Sequence, residues 1–251
     1  MGPRSSIGRA LGTAKRAVNR LLEHQIDHRL ERTVLVPLEK RLIGHLSAAK
    51  LAPKTVIDVG VAEGTPWIYE AYPSSKFILI DPTPQSLRSM QGLAEHLDAD
   101  IFNVALGNAD GRATIKIRPE HSGSTFFEEV GEVEILEQVE VPVKRFDAIP
   151  LTIIRPALMK IDAQGSELMI LQGMGQRMKE IDCFVIETSL IATLHDGPEF
   201  TDVCSFMASS GFSLFDIIGI LRRPLDDALA GVDAVFVPTN SPLRVDRRWA
   251  R

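Results

Sequence analysis

Residues 55–81 read T-V-I-D-V-G-V-A-E-G-T-P-W-I-Y-E-A-Y-P-S-S-K-F-I-L-I-D, an order that few folds accept. The apolar run at Val56, Ile57 and Val59 is too short for a helix, and its β-branched content suits a strand buried on both faces. Gly60 and Gly64 interrupt that run, which allows a tight turn and a close approach of backbone to a ligand. Thr65 followed by Pro66 reads as an N-cap and first helical position, and predicts a helix to about Ala71. A second buried strand, 77–80, then ends at Asp81. The stretch is one β-α-β unit with a glycine turn at the tip of its first strand and an acid at the tip of its second. Open α/β sheets bind their ligands at such tips.

The chemistry of the turn narrows the ligand. A dinucleotide site favours G-x-G-x-x-G, whose backbone and following helix receive a pyrophosphate. Here Gly60 and Gly64 flank Ala62, and Asp58 stands two residues before the first glycine. A carboxylate there repels a pyrophosphate and suits a cation. S-adenosylmethionine (SAM) offers a sulfonium, an ammonium and a ribose diol: Asp58 would favour its ammonium end, and Asp81 would accept from both ribose hydroxyls. The bland alternative is an ordinary βα turn with two capping acids. A nicotinamide- or nucleotide-binding enzyme stays open as well, since Asp81 serves any ribose.

Two later stretches, N-V-A-L-G at 103–107 and L-M-K-I-D-A-Q-G-S-E-L at 158–168, follow V-I-D-V-G-V-A-E-G-T-P and F-I-L-I-D-P in order. Together they resemble the FkbM family of methyltransferases, over residues 55–187. The resemblance implies a class I SAM-methyltransferase fold, an α/β, Rossmann-like, seven-stranded sheet with helices on both faces. It implies SAM as cofactor and methyl transfer to a hydroxyl of a sugar, glycan or glycosylated natural product. It places Asp58, Gly60, Gly64, Asp81, Pro82, Asn103, Ala105, Leu106 and Asp162 at the cofactor. The family has glutamate where this chain has Asp81, which keeps the carboxylate, and where it has Gln164, which does not. No role of that second glutamate is carried over, and Gln164 is the one hint of a non-catalytic SAM-binding module.

The 28 Lys and Arg against 33 Asp and Glu disfavour a nucleic-acid binder, but their distribution is uneven. Residues 1–50 hold ten basic against four acidic residues, and the remainder eighteen against twenty-nine. Within 1–50, Ile7, Leu11, Ala14, Val18, Leu21, Leu22, Ile26 and Leu30 recur at helical spacing. They predict an N-terminal helical extension that self-associates or packs on the body; contact with a membrane surface is the disfavoured alternative, because its apolar face lacks Trp and Phe. A second helix is expected near 36–49, a methyltransferase domain over 51–239, and a basic tail over 240–251. Cys183 and Cys204 read as small core residues of a cytoplasmic protein, since no signal peptide or membrane span is legible.

Further along, 85–97 predicts a helix and 100–104 a strand whose tip lies beside the adenine. Alternating residues at 112–118 and 133–143 predict a small antiparallel β insertion, joined by a Ser-rich loop with two aromatics. Strands are expected at 157–161, 182–186, 212–220 and 232–237, the last antiparallel in the implied fold, and a helix at 200–210. Ser166 reads as an N-cap. A hydroxyl acceptor needs a base: Asp162, at the tip of the fourth strand, is the leading candidate, with a methionine-orienting or capping role as its alternative. Glu187 is expected to bind the acceptor or act as base, with a capping or salt-bridging role as its alternative. His195, like His121, lies in a loop that would overhang the site, and either reads equally as a surface histidine. No adjacent acidic pair marks a metal site, so metal independence is expected.

Overall fold

The computed structural model describes residues 37–119 and 123–250. The helix expected over about 7–32 and His121 lie outside those residues. Helix α1 (Leu38–Ala48) buries Leu42 and Leu46 and sets His45 edge-on to Phe215, with ring centroids 5.6 Å apart.

The sheet is built as the apolar runs require. Strands β1 (Thr55–Val59), β2 (Lys76–Ile80) and β3 (Ala99–Phe102) run parallel, linked by helices α2 (Pro66–Ala71) and α3 (Pro84–Ala94). After an insertion come β7 (Ala157–Ile161), α4 (Glu167–Gly173), β8 (Cys183–Ser189), α5 (Phe200–Ser209), β9 (Phe212–Arg222) and β10 (Leu229–Pro238). The seven strands lie in the order β3-β2-β1-β7-β8-β10-β9, with β10 antiparallel to both neighbours, the class I methyltransferase arrangement. Strand order reverses between β1 and β7, and Val59 is in register with both Ile80 and Ile161. Gly60, Asp81 and Asp162 therefore emerge side by side at the switch point where α/β sheets hold ligands. Among the described residues no helix is long and apolar enough to cross a membrane.

Alternation sorts the buried strands into two unlike faces. Ile57, Val59, Ile78, Ile80, Met159 and Ile161 share one core with Ile170, Leu171, Phe184 and Ile186. On the opposite face Asp58 and Lys160 are cross-strand neighbours, both buried. The reading of β1 as a strand buried on both faces holds, but its second face carries charge.

The structure departs from expectation at four elements. The chain leaves the large sheet at Phe102 instead of Val104, and β4 (Ala105–Leu106) joins a three-stranded sheet beside β6 (Glu137–Lys144). β6 begins at residue 137 and not 133, paired antiparallel with β5 (Gly111–Ile117). Helix α3 stops at Ala94, short of 97, and is capped by the Thr83 side chain, which accepts from the Ser86 N–H. Glu187 lies within β8, which runs on to Ser189.

Candidate active site

The turn after β1 depends on contacts that leave no room for a side chain. Gly60 has φ +79° and donates its N–H to the Ile80 carbonyl at 2.9 Å. A Cβ on Gly60 would lie 1.7 Å from the Asp162 carbonyl oxygen, so β1 and β7 meet backbone to backbone. Ala62, at φ +47°, donates its N–H to Asp81 Oδ2 at 3.1 Å, which ties the glycine turn to the tip of β2. The other oxygen of Asp81 accepts from the Thr83 N–H and hydroxyl, each at 2.9 Å. Asn103 donates to the carbonyls of Asp81 and Thr83, at 2.8 and 3.2 Å.

Above these tips lies a cavity of about 540 Å³. Gly60, Asp81, Pro82, Ala105, Leu106 and Asp162 line it, as do Gln164 and Ser166, and Ile115, Phe126 and Ile170 supply its apolar wall. A carboxylate beside an apolar slot and a glycine turn fits a nucleoside whose ribose hydroxyls reach Asp81 and whose base enters the slot. Asp81→Ala is expected to weaken SAM binding by about 1.5–3 kcal/mol, the range for a hydrogen bond to a charged group, and Asp81→Asn by less. Calorimetric titration checks this; equal affinities in all three proteins would remove Asp81 from the site.

A second cavity, also of about 540 Å³, adjoins the first through Gln164, which lines both. Its wall is polar: Arg118, Glu129, Glu167, Glu187, Thr188, Ser189 and Thr193 contribute. Arg118 is bound to Glu129 at 3.0 and 3.2 Å. The insertion closes over this boundary. Thr125 donates its hydroxyl to the Gln164 carbonyl at 2.6 Å, and the Val130 N–H reaches the Thr193 carbonyl at 2.9 Å.

Two carboxyl groups meet where the cavities join. Gln164 Nε2 donates to Asp162 Oδ1 at 3.0 Å and to Glu187 Oε2 at 3.1 Å. Lys160 Nζ lies 2.8 Å from Asp162 Oδ2. Burial alone would raise Asp162, but the Lys160 ammonium and its hydrogen bonds with Glu187 and Gln164 hold it below its usual value. Burial and the bond to Asp162 push Glu187 up to about 9. Burial lifts Glu167 to about 7, although its carboxylate accepts from the N–H groups of Ala163 and Gly165. The two shifts run in opposite directions, so the pair shares one proton at neutral pH, favoured on Glu187 over Asp162.

Glu187 binds its proton more tightly when folded than its ordinary value of about 4.3 in the unfolded chain allows. Folded protein then carries more protons than unfolded between about 4.3 and about 9, so stability falls as pH rises through that window. Melting temperatures from pH 5 to 9 are expected to decline in the wild type and to decline less steeply in Glu187→Gln. Parallel profiles would contradict the raised value.

Not every residue singled out from the sequence meets a cavity. Asp58 is wholly buried and lines neither; Tyr69 donates to its Oδ2 at 2.5 Å, and burial raises its carboxyl against the opposing pull of Lys160. Gly64 packs against the Tyr69 ring, and Asn103 braces the Asp81 turn instead of facing the cavity. His195 is exposed and lines neither cavity: its N–H is held by the Glu128 carbonyl while the preceding Leu194 turns inward against Gly165. Ser166 makes no capping bond; the Glu167 carboxylate takes the N–H groups of that turn. Lys160 carries no signal of its own in the sequence, where it looks like a routine strand residue until its register beside Asp58 is known.

Residues 58–214 match a family model described as the methyltransferase FkbM domain. No curated protein matches the chain. Among solved structures, the 1,6-didemethyltoxoflavin N1-methyltransferase of Burkholderia thailandensis, with bound 1,6-didemethyltoxoflavin and S-adenosylhomocysteine, is 14% identical with a TM-score of 0.44, covering 91% of this chain and 90% of that one. A SAM-dependent methyltransferase of Clostridium acetobutylicum is 7% identical with a TM-score of 0.44, covering 86% and 99%. Magnesium protoporphyrin IX methyltransferase of Synechocystis PCC 6803, bound to SAM, is 9% identical with a TM-score of 0.42, covering 80% and 77%. Likenesses this distant carry no weight beside the family match.

Proposed function

The chain belongs to the FkbM methyltransferase family and is a SAM-dependent methyltransferase, and on that premise we propose that it methylates a hydroxyl of a sugar, glycan or glycosylated natural product. The observation that carries this reading is the Asp162–Glu187 pair, bridged by Gln164 where the two cavities join. Bound in the first cavity, SAM supplies an electrophilic methyl group on a sulfonium that leaves unaided.

The residues of the chain have then to hold the acceptor and remove one proton. Asp162 lines the first cavity and Glu187 the second, so an acceptor hydroxyl between them lies within reach of an ionised carboxylate. Asp162 accepts the hydroxyl proton, and the protonated Glu187 orients Asp162 and the incoming oxygen. Lys160 keeps Asp162 ionised in a buried setting. The hydroxyl and carboxyl groups of Thr188, Ser189 and Glu187 suit a polyhydroxylated acceptor, and the bridges from Thr125 and Val130 hold the insertion against the junction.

Incubating the protein with SAM and a panel of glycosides, matched against amine and thiol acceptors, tests the reading. S-adenosylhomocysteine formation with a methyl ether as product is the expected result. Methylation confined to nitrogen or sulfur would overturn the hydroxyl assignment.

A further inference from the structure

We propose that Ser166 binds the adenine ring of SAM through its hydroxyl. The residue is 1% exposed, and among the described residues its Oγ has no hydrogen-bond partner. Buried hydroxyls are nearly always bonded, because water is gone and the lost bond is not replaced. Its position before α4 explains why the obvious local partner is missing. A capping serine needs extended backbone, whereas Ser166 has φ −89° and ψ 0°, and Glu167 has already taken the N–H groups of the turn.

The residue that carries the orphan atom lines the cofactor cavity. Ser166 and Ile170 both line it, one helical turn apart, and the Ile170 N–H bonds to the Ser166 carbonyl at 2.9 Å. Ile170 packs in the core with Leu106, so this side of the cavity is the apolar slot rather than the ribose end at Asp81. A hydroxyl both donates and accepts, so it can meet a ring nitrogen or the exocyclic amine of adenine. Three other buried orphan oxygens among the described residues, Asp58 Oδ1, the Tyr72 hydroxyl and Gln85 Oε1, belong to residues that do not line the cavity. Ser166 alone of the four lines the cavity, where a partner can arrive with the ligand.

The inference rests on SAM as cofactor and is separable from the choice of acceptor. Ser166→Ala is tested against wild type with S-adenosylhomocysteine and with 5′-methylthioadenosine, which lacks the amino-acid end. Calorimetry is expected to show about tenfold weaker binding of both probes, the loss of roughly one hydrogen bond. Without ligand, the variant is expected to melt a few degrees higher, because it no longer buries an unpaired hydroxyl. Unchanged affinity for S-adenosylhomocysteine would overturn the proposal. A loss seen with S-adenosylhomocysteine but not with 5′-methylthioadenosine would move Ser166 to the amino-acid end and overturn the adenine assignment. A lower ligand-free melting temperature would show that the hydroxyl has a structural partner, and would also overturn it. Failure of the wild type to bind either probe would overturn the cofactor reading on which the proposal stands.

Discussion

Replacing Asp162 with asparagine is expected to slow methyl transfer by about 10²–10⁴-fold, the range for loss of a general base. Glu187→Gln is expected to cost less than about tenfold at neutral pH, since an amide can still donate as the protonated carboxyl does. The contrast follows from the division of one proton between the two groups. Lys160 and its hydrogen bonds keep Asp162 ionised, whereas burial and the bond to Asp162 keep Glu187 protonated up to about 9. Activity of the wild type should therefore hold at least down to about pH 5, above the ordinary range of aspartate. It should fall as pH passes about 9, when Glu187 loses its proton and the pair becomes doubly charged. Glu187→Gln should lack that alkaline fall. Initial rates of S-adenosylhomocysteine formation across pH, with calorimetric proof that each variant binds S-adenosylhomocysteine, decide the matter. If Glu187→Gln is the crippled variant and Asp162→Asn is not, the roles are reversed.

Gly60→Ala should be the most damaging single substitution in the fold. Its Cβ would lie 1.7 Å from the Asp162 carbonyl oxygen, about half the distance at which carbon and oxygen make van der Waals contact. The obstacle is backbone, which cannot rotate aside, and φ +79° adds left-handed strain of about 1–2 kcal/mol for a residue with a Cβ. Relief requires β1 and β7 to separate at the tips that carry Asp81 and Asp162. We expect a loss beyond about 4 kcal/mol, in the tail reserved for broken cores and strained backbone. Gly92→Ala is the control: Gly92 lies within α3, exposed, and a Cβ there would meet nothing within 4 Å. It should stabilise the protein by about 0.5–1 kcal/mol, because alanine restricts the unfolded chain and favours helix. Denaturant unfolding of both variants gives the comparison. A Gly60→Ala protein with wild-type stability would show that the tips are not in backbone contact.

Much of this architecture was legible because it is local. Buried β-branched runs bounded by glycine, proline and aspartate predict 55–59, 76–80 and 157–161 to within a residue, since strand length and turn chemistry are written in adjacent positions. Asp81 and Asp162 were recognisable as strand-tip acids for the same reason: each ends such a run, and both line the cavity that opens there. The two alternating strands after residue 110 announced an exposed sheet, although only pairing decided that β4 leaves the large sheet to join it.

The orientation of side chains was another matter. Asp58 and Gly60 are two residues apart, yet one lies buried under Tyr69 and the other at the cavity, because the chain turns between them. Leu194 and His195 are adjacent, and the histidine, chemically the more attractive, faces solvent. Gln164 reads as a departure from its family, and only its contacts reveal an amide bonded to two carboxyl groups that lie twenty-five residues apart in sequence. By itself the sequence determined the family, the strand order's raw material and the acids at the strand tips, all set by short-range pattern. Which acid keeps its proton, which serine lacks a partner and which glycine tolerates no side chain were decided by tertiary structure, because burial and non-local contact set those properties.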